Sequence, residues 1–525
     1  MGHNSKPGAL HRIPCHPFLA AVYPVLALLA LNAPEIRPAD SLRALTLSLL
    51  LAAALLLLLR PLLRTWTRAA ILTTLALLVF FSYGHLYVLL RASSGLAALG
   101  RHRYLAALCL ALVVAAAVYL RRREPSPALT TFLNLGTIAA VALTAGQSLW
   151  RYADAWSPES QADPVTQSLP DLSPPAGAAL PDVYYIILDS YARADILEDK
   201  FGFDNTSFLQ SLEEMGFDIA SQSRSNYAVT RLSIPSSLNM NYLDALGPIP
   251  DPSARDAAWI DRVARSSAVR DSLEALGYTV VAFESAIGTT DWVDSDVYLS
   301  PRPLSLSDAV AFGRLNGLEV MLIQTSMGRL VIDGRVQLNA LLQTKIQDPY
   351  ETHRGLILFT LERLSRAPEI AGPKFVFAHI MSPHAPYVFT AEGEAAESGE
   401  IFTLAEDDGD SAAGTWVEGY RDQVAYLNSR LLEVIGAILR DSETPPIIIL
   451  QGDHGAQGVG PDDRMKILNA YHLPGLGPEA VYESISPVNT FRVVFNGYFG
   501  GRLPLLEDRS YFSTVRAPFV LTFMP

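Results

Sequence analysis

Ile447-Ile448-Ile449-Leu450-Gln451-Gly452-Asp453-His454-Gly455 decides how this chain of 525 residues is read. Three β-branched residues and a leucine form an apolar run too short for a helix core, so they read as a buried strand that stops at polar groups. The same pattern recurs at Val183-Tyr184-Tyr185-Ile186-Ile187-Leu188, which breaks off at Asp189. Strand signals also lie at Tyr278–Phe283 and Phe375–Ala378, with helical stretches between. The clearest helix carries Tyr420, Val424, Leu427, Leu431, Val434 and Ile438 on one face. Fully apolar strands alternating with helices predict an α/β domain over residues 181–525 with a mostly parallel central sheet covered on both faces.

Working outward to the N-terminus, the composition changes. Hydrophobic residues make up 50% of the chain and the mean hydropathy is +0.22, an apolar excess concentrated in residues 1–155. Five segments there, 17–34, 43–59, 69–90, 104–120 and 128–149, are read as membrane spans, each needing roughly 20 apolar residues of helix. A linker, 156–180, separates this five-helix bundle from the α/β domain; it holds Pro158, Pro164, Pro170, Pro174 and Pro175 among Ser, Asp and Ala. Charge divides at the same place. Residues 1–155 hold 14 Lys and Arg against 4 Asp and Glu, which leaves 26 and 49 for the rest. So acidic a remainder is unsuited to nucleic acid. With the N-terminus inside, Lys6, Arg12, Arg60, Arg64, Arg68 and the cluster Arg121-Arg122-Arg123 stay inside against Arg37, Arg43, Arg91, Arg101, Arg103 and Arg151 outside, and five crossings place the large domain outside. The two cysteines, Cys15 and Cys109, both lie in the apolar part, so the outer domain has no disulfide and no thiol nucleophile. His85, between Tyr83 and Tyr87, reads as part of an interfacial aromatic belt or as a site within a span.

In open parallel sheets the ligand site lies beyond the carboxyl ends of the strands. Asp189 and Asp453-His454 follow two such ends, a mixed oxygen and nitrogen set suited to a divalent cation. Taken alone, Asp189 reads first as a helix cap; joined with Asp453-His454, the metal reading takes precedence. A third element is Ser225-Asn226-Tyr227-Ala228-Val229-Thr230-Arg231-Leu232-Ser233-Ile234-Pro235-Ser236-Ser237-Leu238-Asn239-Met240. Its hydroxyls read as helix caps or, at a helix N-terminus beside a metal, as an activated nucleophile. Pro235 suits the first turn of a helix, which would put Thr230 just before it. A fourth element, His379-Ile380-Met381-Ser382-Pro383-His384-Ala385-Pro386-Tyr387, brings two imidazoles to the same rim, where they could bind substrate oxygens or protonate a leaving group.

In this order the four elements resemble the sulfatase-like branch of the alkaline phosphatase superfamily. With five preceding spans, the architecture resembles the membrane-anchored phosphoethanolamine transferases and lipoteichoic acid synthases; the helix carrying Tyr420-Arg421-Asp422-Gln423-Val424-Ala425-Tyr426-Leu427-Asn428 is similar to the one before the Asp-His strand in those proteins. The resemblance implies one divalent metal, zinc or manganese, held by Asp189, Thr230, Asp453 and His454. It implies a covalent phospho-enzyme intermediate on Thr230 and binding of the transferred group by His384, with His379 beside it as a substrate contact. The expected activity moves a phosphoryl-linked headgroup from a membrane lipid donor onto an envelope glycan or lipid acceptor, at the outer face of a bacterial inner membrane. Hydrolysis of a phosphate or sulfate ester, and an inactive envelope sensor or scaffold, are the alternatives. Three features depart from the pattern: Asp189 stands where the headgroup transferases generally have Glu, their disulfides are absent, and Ser233-Ile234-Pro235-Ser236-Ser237 lacks the Arg of a sulfatase modification motif.

The acidic stretch Glu392–Asp410 reads as a solvated loop rather than a second cation site. His472, in Asn469-Ala470-Tyr471-His472-Leu473-Pro474, reads either as structural or as a member of the site.

Overall fold

Val183–Leu188 (β1) is the middle of a seven-stranded sheet, and every residue in it is buried. The computed structural model describes residues 14–31, 38–92, 96, 98–154, 172–175, 177, 179–247, 258–285, 287–301, 316–332, 349–396, 415–515 and 517–525. The remaining strands are β2 (Asp218–Ile219), β3 (Thr279–Phe283), β4 (Val297–Leu299), β5 (Lys374–Ile380), β6 (Ile447–Gly452) and β7 (Asn469–His472), in the order β2-β7-β6-β1-β5-β3-β4. β6, β1, β5, β3 and β4 run parallel, and β7 and β2 close one edge antiparallel. The sheet is thus mostly parallel and mixed.

Successive residues of β1 serve opposite faces. Tyr184, Ile186 and Leu188 join one apolar cluster with Tyr420, Val424, Leu427 and Leu431 of the helix Thr415–Asp441. Val183, Tyr185 and Ile187 join another with Ile234 and Leu238 of the helix Thr230–Leu238 and Phe491 of Pro487–Tyr498. A strand covered on both sides has no position for a polar side chain until it leaves the sheet, which is why the apolar run ends where the chemistry starts. A C-terminal hairpin, β8 (Ser510–Thr514) and β9 (Ala517–Met524), forms a separate two-stranded sheet.

By its contacts the chain divides into two units: residues 1–157 with 303–348, and residues 158–302 with 349–525. The sheet belongs to the second unit. The sequence reading takes 181–525 as one outer domain, whereas the stretch from 303 to 348 groups with the first unit. That first unit holds α1 (His16–Leu31), α2 (Ser41–Leu63), α3 (Trp66–Ala92), α4 (His102–Arg122) and α5 (Pro127–Asp154).

Five spans are expected from the sequence, but among the described residues four helices are long and apolar enough to cross a membrane. The first, α1, has 16 residues, about 24 Å of helix against a hydrocarbon core of about 30 Å. On α3, His85 is exposed. The histidine that the neighbouring tyrosines engage is His102: Tyr83 Oη lies 2.9 Å from its Nδ1 and Tyr87 stacks on it at 4.4 Å.

Candidate functional site

The β1–β6 register pairs Leu188 with Gly452, and the β1–β5 register pairs Leu188 with Ile380. One step further along each parallel strand, Asp189 and Asp453 emerge side by side at the carboxyl rim, with the His379–Tyr387 segment on their other flank. Gly452 is required there because a Cβ at this position would lie 2.5 Å from the Tyr191 carbonyl oxygen. At Gly455 a Cβ would lie 2.8 Å from the carbonyl oxygens of Arg464 and Lys466.

Asp189, Asp453 and His454 are completely buried, and one ligand atom from each lies within 4.8 Å of the others. His454 Nε2 is 3.8 Å from Asp189 Oδ1, 3.6 Å from Asp453 Oδ2 and 3.2 Å from Thr230 Oγ1. A tetrahedral ion with bonds of about 2.1 Å separates its ligands by about 3.4 Å, so these spacings fit one cation. Nδ1 of His454 donates to the Gly455 carbonyl at 2.9 Å, which leaves the Nε2 lone pair facing the cluster. Asp189 Oδ2 and Asp453 Oδ2 are buried without a well-aligned hydrogen bond, although His379 Nε2 lies 3.2 Å from Asp189 Oδ2. Two such oxygens are costly unless a cation satisfies them.

The electrostatics agree. Burial alone would raise the Asp189 carboxyl, yet His384, His379 and His454 hold it well below the usual carboxylate range. Burial and the neighbouring Asp189 charge push Asp453 up. Two carboxylates this close do not both ionise comfortably without a positive charge between them.

The helix Thr230–Leu238 begins one turn before the position that Pro235 suggested, and Pro235 lies inside it. Thr230 is therefore its first residue, not the one preceding it, and its hydroxyl meets His454. Ser233, one turn later, points elsewhere: its Oγ donates to the Asp453 carbonyl at 2.6 Å.

His379 and His384 come from one segment but face different surroundings. The His379 side chain is fully enclosed, with Nε2 3.2 Å from Asp189 Oδ2 and Nδ1 2.8 Å from Thr290 Oγ1. His384 turns Nδ1 to the Ala385 carbonyl and Nε2 to Gln457 Nε2, 2.8 Å away, while Gln423 Nε2 donates to its carbonyl at 3.0 Å. His472 is not at this rim. It pairs with Ile448 near the start of β6, and its Nδ1 lies 2.8 Å from the Pro446 carbonyl. Of the acidic stretch 392–410, residues 397–410 lie outside the described residues.

Several residues of the site carry no sequence signal. Ser190 adopts φ of 66° immediately after Asp189, a left-handed conformation rare for a non-glycine residue. There its N–H donates to Asp453 Oδ1 at 3.0 Å and its Oγ to Asp189 Oδ1 at 3.2 Å. Tyr420 Oη locks this turn by donating to the Ser190 carbonyl at 2.7 Å and accepting from the Ala192 N–H at 3.1 Å.

No protein-family model matches the chain, and no curated protein matches it. Among solved structures it is similar to the integral membrane lipooligosaccharide phosphoethanolamine transferase A (EptA) of Neisseria meningitidis, at 13% identity and a TM-score of 0.41 over 93% of this chain and 99% of that one. The zinc complex of the C-terminal periplasmic domain of EptC from Escherichia coli matches at 13% identity and a TM-score of 0.40, over 68% of this chain and 96% of that one. An alkaline phosphatase superfamily protein of Vibrio parahaemolyticus matches at 15% identity and a TM-score of 0.38, over 69% and 81%.

Proposed function

We propose that this chain is a membrane-anchored, metal-dependent transferase that moves a phosphoryl-linked headgroup from a membrane lipid onto an envelope glycan or lipid through an intermediate on Thr230. The observation that carries this reading is the convergence of two fully buried carboxylates and one oriented imidazole on a hydroxyl at a helix N-terminus.

Asp189, Asp453, His454 and Thr230 would hold one divalent cation, zinc or manganese. Such an ion supplies Lewis acidity, lowering the pKa of a hydroxyl beside it and offsetting charge on phosphoryl oxygens. Thr230 Oγ, entering as the alkoxide that such an ion would favour and leaving as the same alkoxide in the second step, forms a bond to phosphorus as the bond to the lipid glycerol oxygen breaks. The leaving oxygen departs protonated, and His384, which we assign to binding the transferred group, supplies that proton. An acceptor hydroxyl then attacks phosphorus, displaces Thr230 Oγ and returns the proton. His379 is assigned to orienting Asp189, whose Oδ2 lies 3.2 Å from its Nε2.

A membrane donor is supported by the covalent continuity with four apolar helices. Counting α1 as a short fifth span from an inside start, the chain after Trp156 emerges outside; an export-dependent reporter fused there should be active, and a cytoplasm-only reporter silent.

The decisive experiment incubates full-length protein in detergent with headgroup-labelled phospholipid and with an aryl sulfate. Expected are diacylglycerol release, label on Thr230 by mass spectrometry, loss of both on chelation and recovery with zinc or manganese. Asp453→Asn should sharply lower metal content. Sulfate release without diacylglycerol would transfer the assignment to ester hydrolysis, and full metal and activity in Asp453→Asn would remove the proposed cluster.

A further inference from the structure

Residues 316–332, Asn316-Gly317-Leu318-Glu319-Val320-Met321-Leu322-Ile323-Gln324-Thr325-Ser326-Met327-Gly328-Arg329-Leu330-Val331-Ile332, lie in sequence between β4 and β5 of the sheet, yet they pack within the apolar unit. The helix Gly317–Thr325 is started by a capping box: Asn316 Oδ1 accepts the Glu319 N–H at 2.9 Å, and Glu319 Oε2 accepts the Asn316 N–H at 3.0 Å. Asn316 Nδ2 also donates to the Asp40 carbonyl at 2.8 Å, just ahead of α2. Glu319 then pairs with Arg43 in the first turn of α2, and both side chains are at least nine-tenths buried.

Beyond that pair the segment is apolar and goes deep. Leu318 joins Val25, Leu29 and Ala44, and Leu322 packs against the cluster of Ala21, Ala52, Leu77 and Phe81. Ala52 lies eleven residues into α2 from Ser41, about 16 Å at the helical rise and so near the middle of a hydrocarbon core of about 30 Å. The turn after the helix is equally close. The Met327 N–H donates to the Phe80 carbonyl at 2.8 Å. A Cβ at Gly84 would lie 2.1 Å from the Gln324 carbonyl oxygen, so α3 needs glycine where this segment crosses it. Met327 and Leu330 pack on Tyr83, Leu105 and Cys109, and Arg329 lies over the Tyr87 ring at 4.5 Å.

We infer that residues 316–332 form a re-entrant membrane element, a second anchor by which the sheet-bearing unit is held in the bilayer independently of the 156–180 linker. The inference rests on reading α2–α5 as membrane spans; its partner is the hydrocarbon interior together with α1, α2 and α3. A nine-residue helix is too short to cross. A helix that enters and turns back satisfies its backbone within the bundle, where such irregular backbone is tolerated. The Arg43–Glu319 pair marks the mouth, since a buried ion pair is weak glue but a strict register mark.

The test uses the full chain with a site-specific protease sequence inserted between residues 161 and 168. After cleavage and an alkaline wash, the fragment carrying the sheet should stay in the membrane pellet; its release to the supernatant overturns the inference. In the Leu318→Asp, Leu322→Asp double variant the same fragment should be released, and undiminished retention also overturns it. Should that variant fail to accumulate, Gln324→Cys in a Cys15→Ser, Cys109→Ser background decides. A membrane-impermeant maleimide should label Gln324→Cys in intact membranes at least tenfold more slowly than exposed Gln210→Cys, and equal rates refute the anchor. The topology reading fails separately, through the reporter at Trp156.

Discussion

His353, on the helix Pro349–Ser365, should make the protein acid-sensitive. It is fully buried and borders a small cavity with Glu284, Ser285, Thr360 and His379. Burial lowers its pKa to about 4 from an ordinary 6.5; the His384 charge acts the same way, and a hydrogen bond with the Met381 backbone and the Asp189 charge oppose it. The folded value lies below the unfolded one, so between them the unfolded chain binds more protons. The contribution is therefore complete above pH 6.5 and is lost as pH falls toward 4. At about pH 5 the loss is about 2 kcal/mol, and it reaches about 3 kcal/mol at the acid end. For the unit of residues 158–302 and 349–525 that corresponds to a fall in Tm of about 3 °C at about pH 5. The assay is thermal unfolding of the detergent-solubilised protein at several pH values, beside His353→Gln. The glutamine variant carries its own pH-independent cost, so only the slopes are compared. An equally steep acid loss in His353→Gln would refute the reasoning.

Ser233→Ala should cost about 1–3 kcal/mol, because it strands the Asp453 carbonyl, while leaving the phospho-adduct on Thr230; Thr230→Ala should show no adduct, and mass spectrometry reads both. Gly452→Ala forces a methyl onto the Tyr191 carbonyl oxygen, 2.5 Å away, and should lower stability by about 1–3 kcal/mol and metal content with it, as melting temperature and metal analysis report. Tyr420→Phe removes the hydroxyl that bonds Ser190 and Ala192; a stability loss of about 1–3 kcal/mol is expected, with a rise in the Kd for zinc because Ser190 positions both carboxylates.

The strands that place the site were legible because they are buried on both faces. β1 coincides with the run Val183–Leu188, and β6 extends Ile447–Leu450 by two residues. β7 was not legible, since Asn469–His472 mixes polar and apolar residues at the antiparallel edge, and β2 and β4, of two and three residues, are too short to carry a period. The re-entrant segment escaped for a related reason: its apolar run is bounded by Glu319 and Arg329 and is shorter than a span, so no length criterion selects it. At the site, the side chains that could ligate a metal were identifiable by type and by position after a strand. Those that hold them were not. Ser190, Tyr420, Gln423 and Gln457 act through contacts made only in the folded chain, and nothing in a serine's identity announces a positive φ. His379 and His384, five residues apart in one motif and both buried, separate into a ring against Asp189 and Thr290 and a ring against Gln457 for the same reason.

The register that sets Leu188 beside Gly452 has a kinetic meaning as well. Ser190 and His454, which touch in the finished site, are 264 residues apart in the chain, and β1 and β6 are joined to each other only when most of the polypeptide has been made. Closing so long a loop is slow and gains little until the intervening helices have packed. The residues proposed to hold a cation, Asp189, Thr230, Asp453 and His454, therefore cannot meet until residue 454 has been made. An ion held by these residues would bind only after that point, and its binding free energy would add to the stability of the completed sheet.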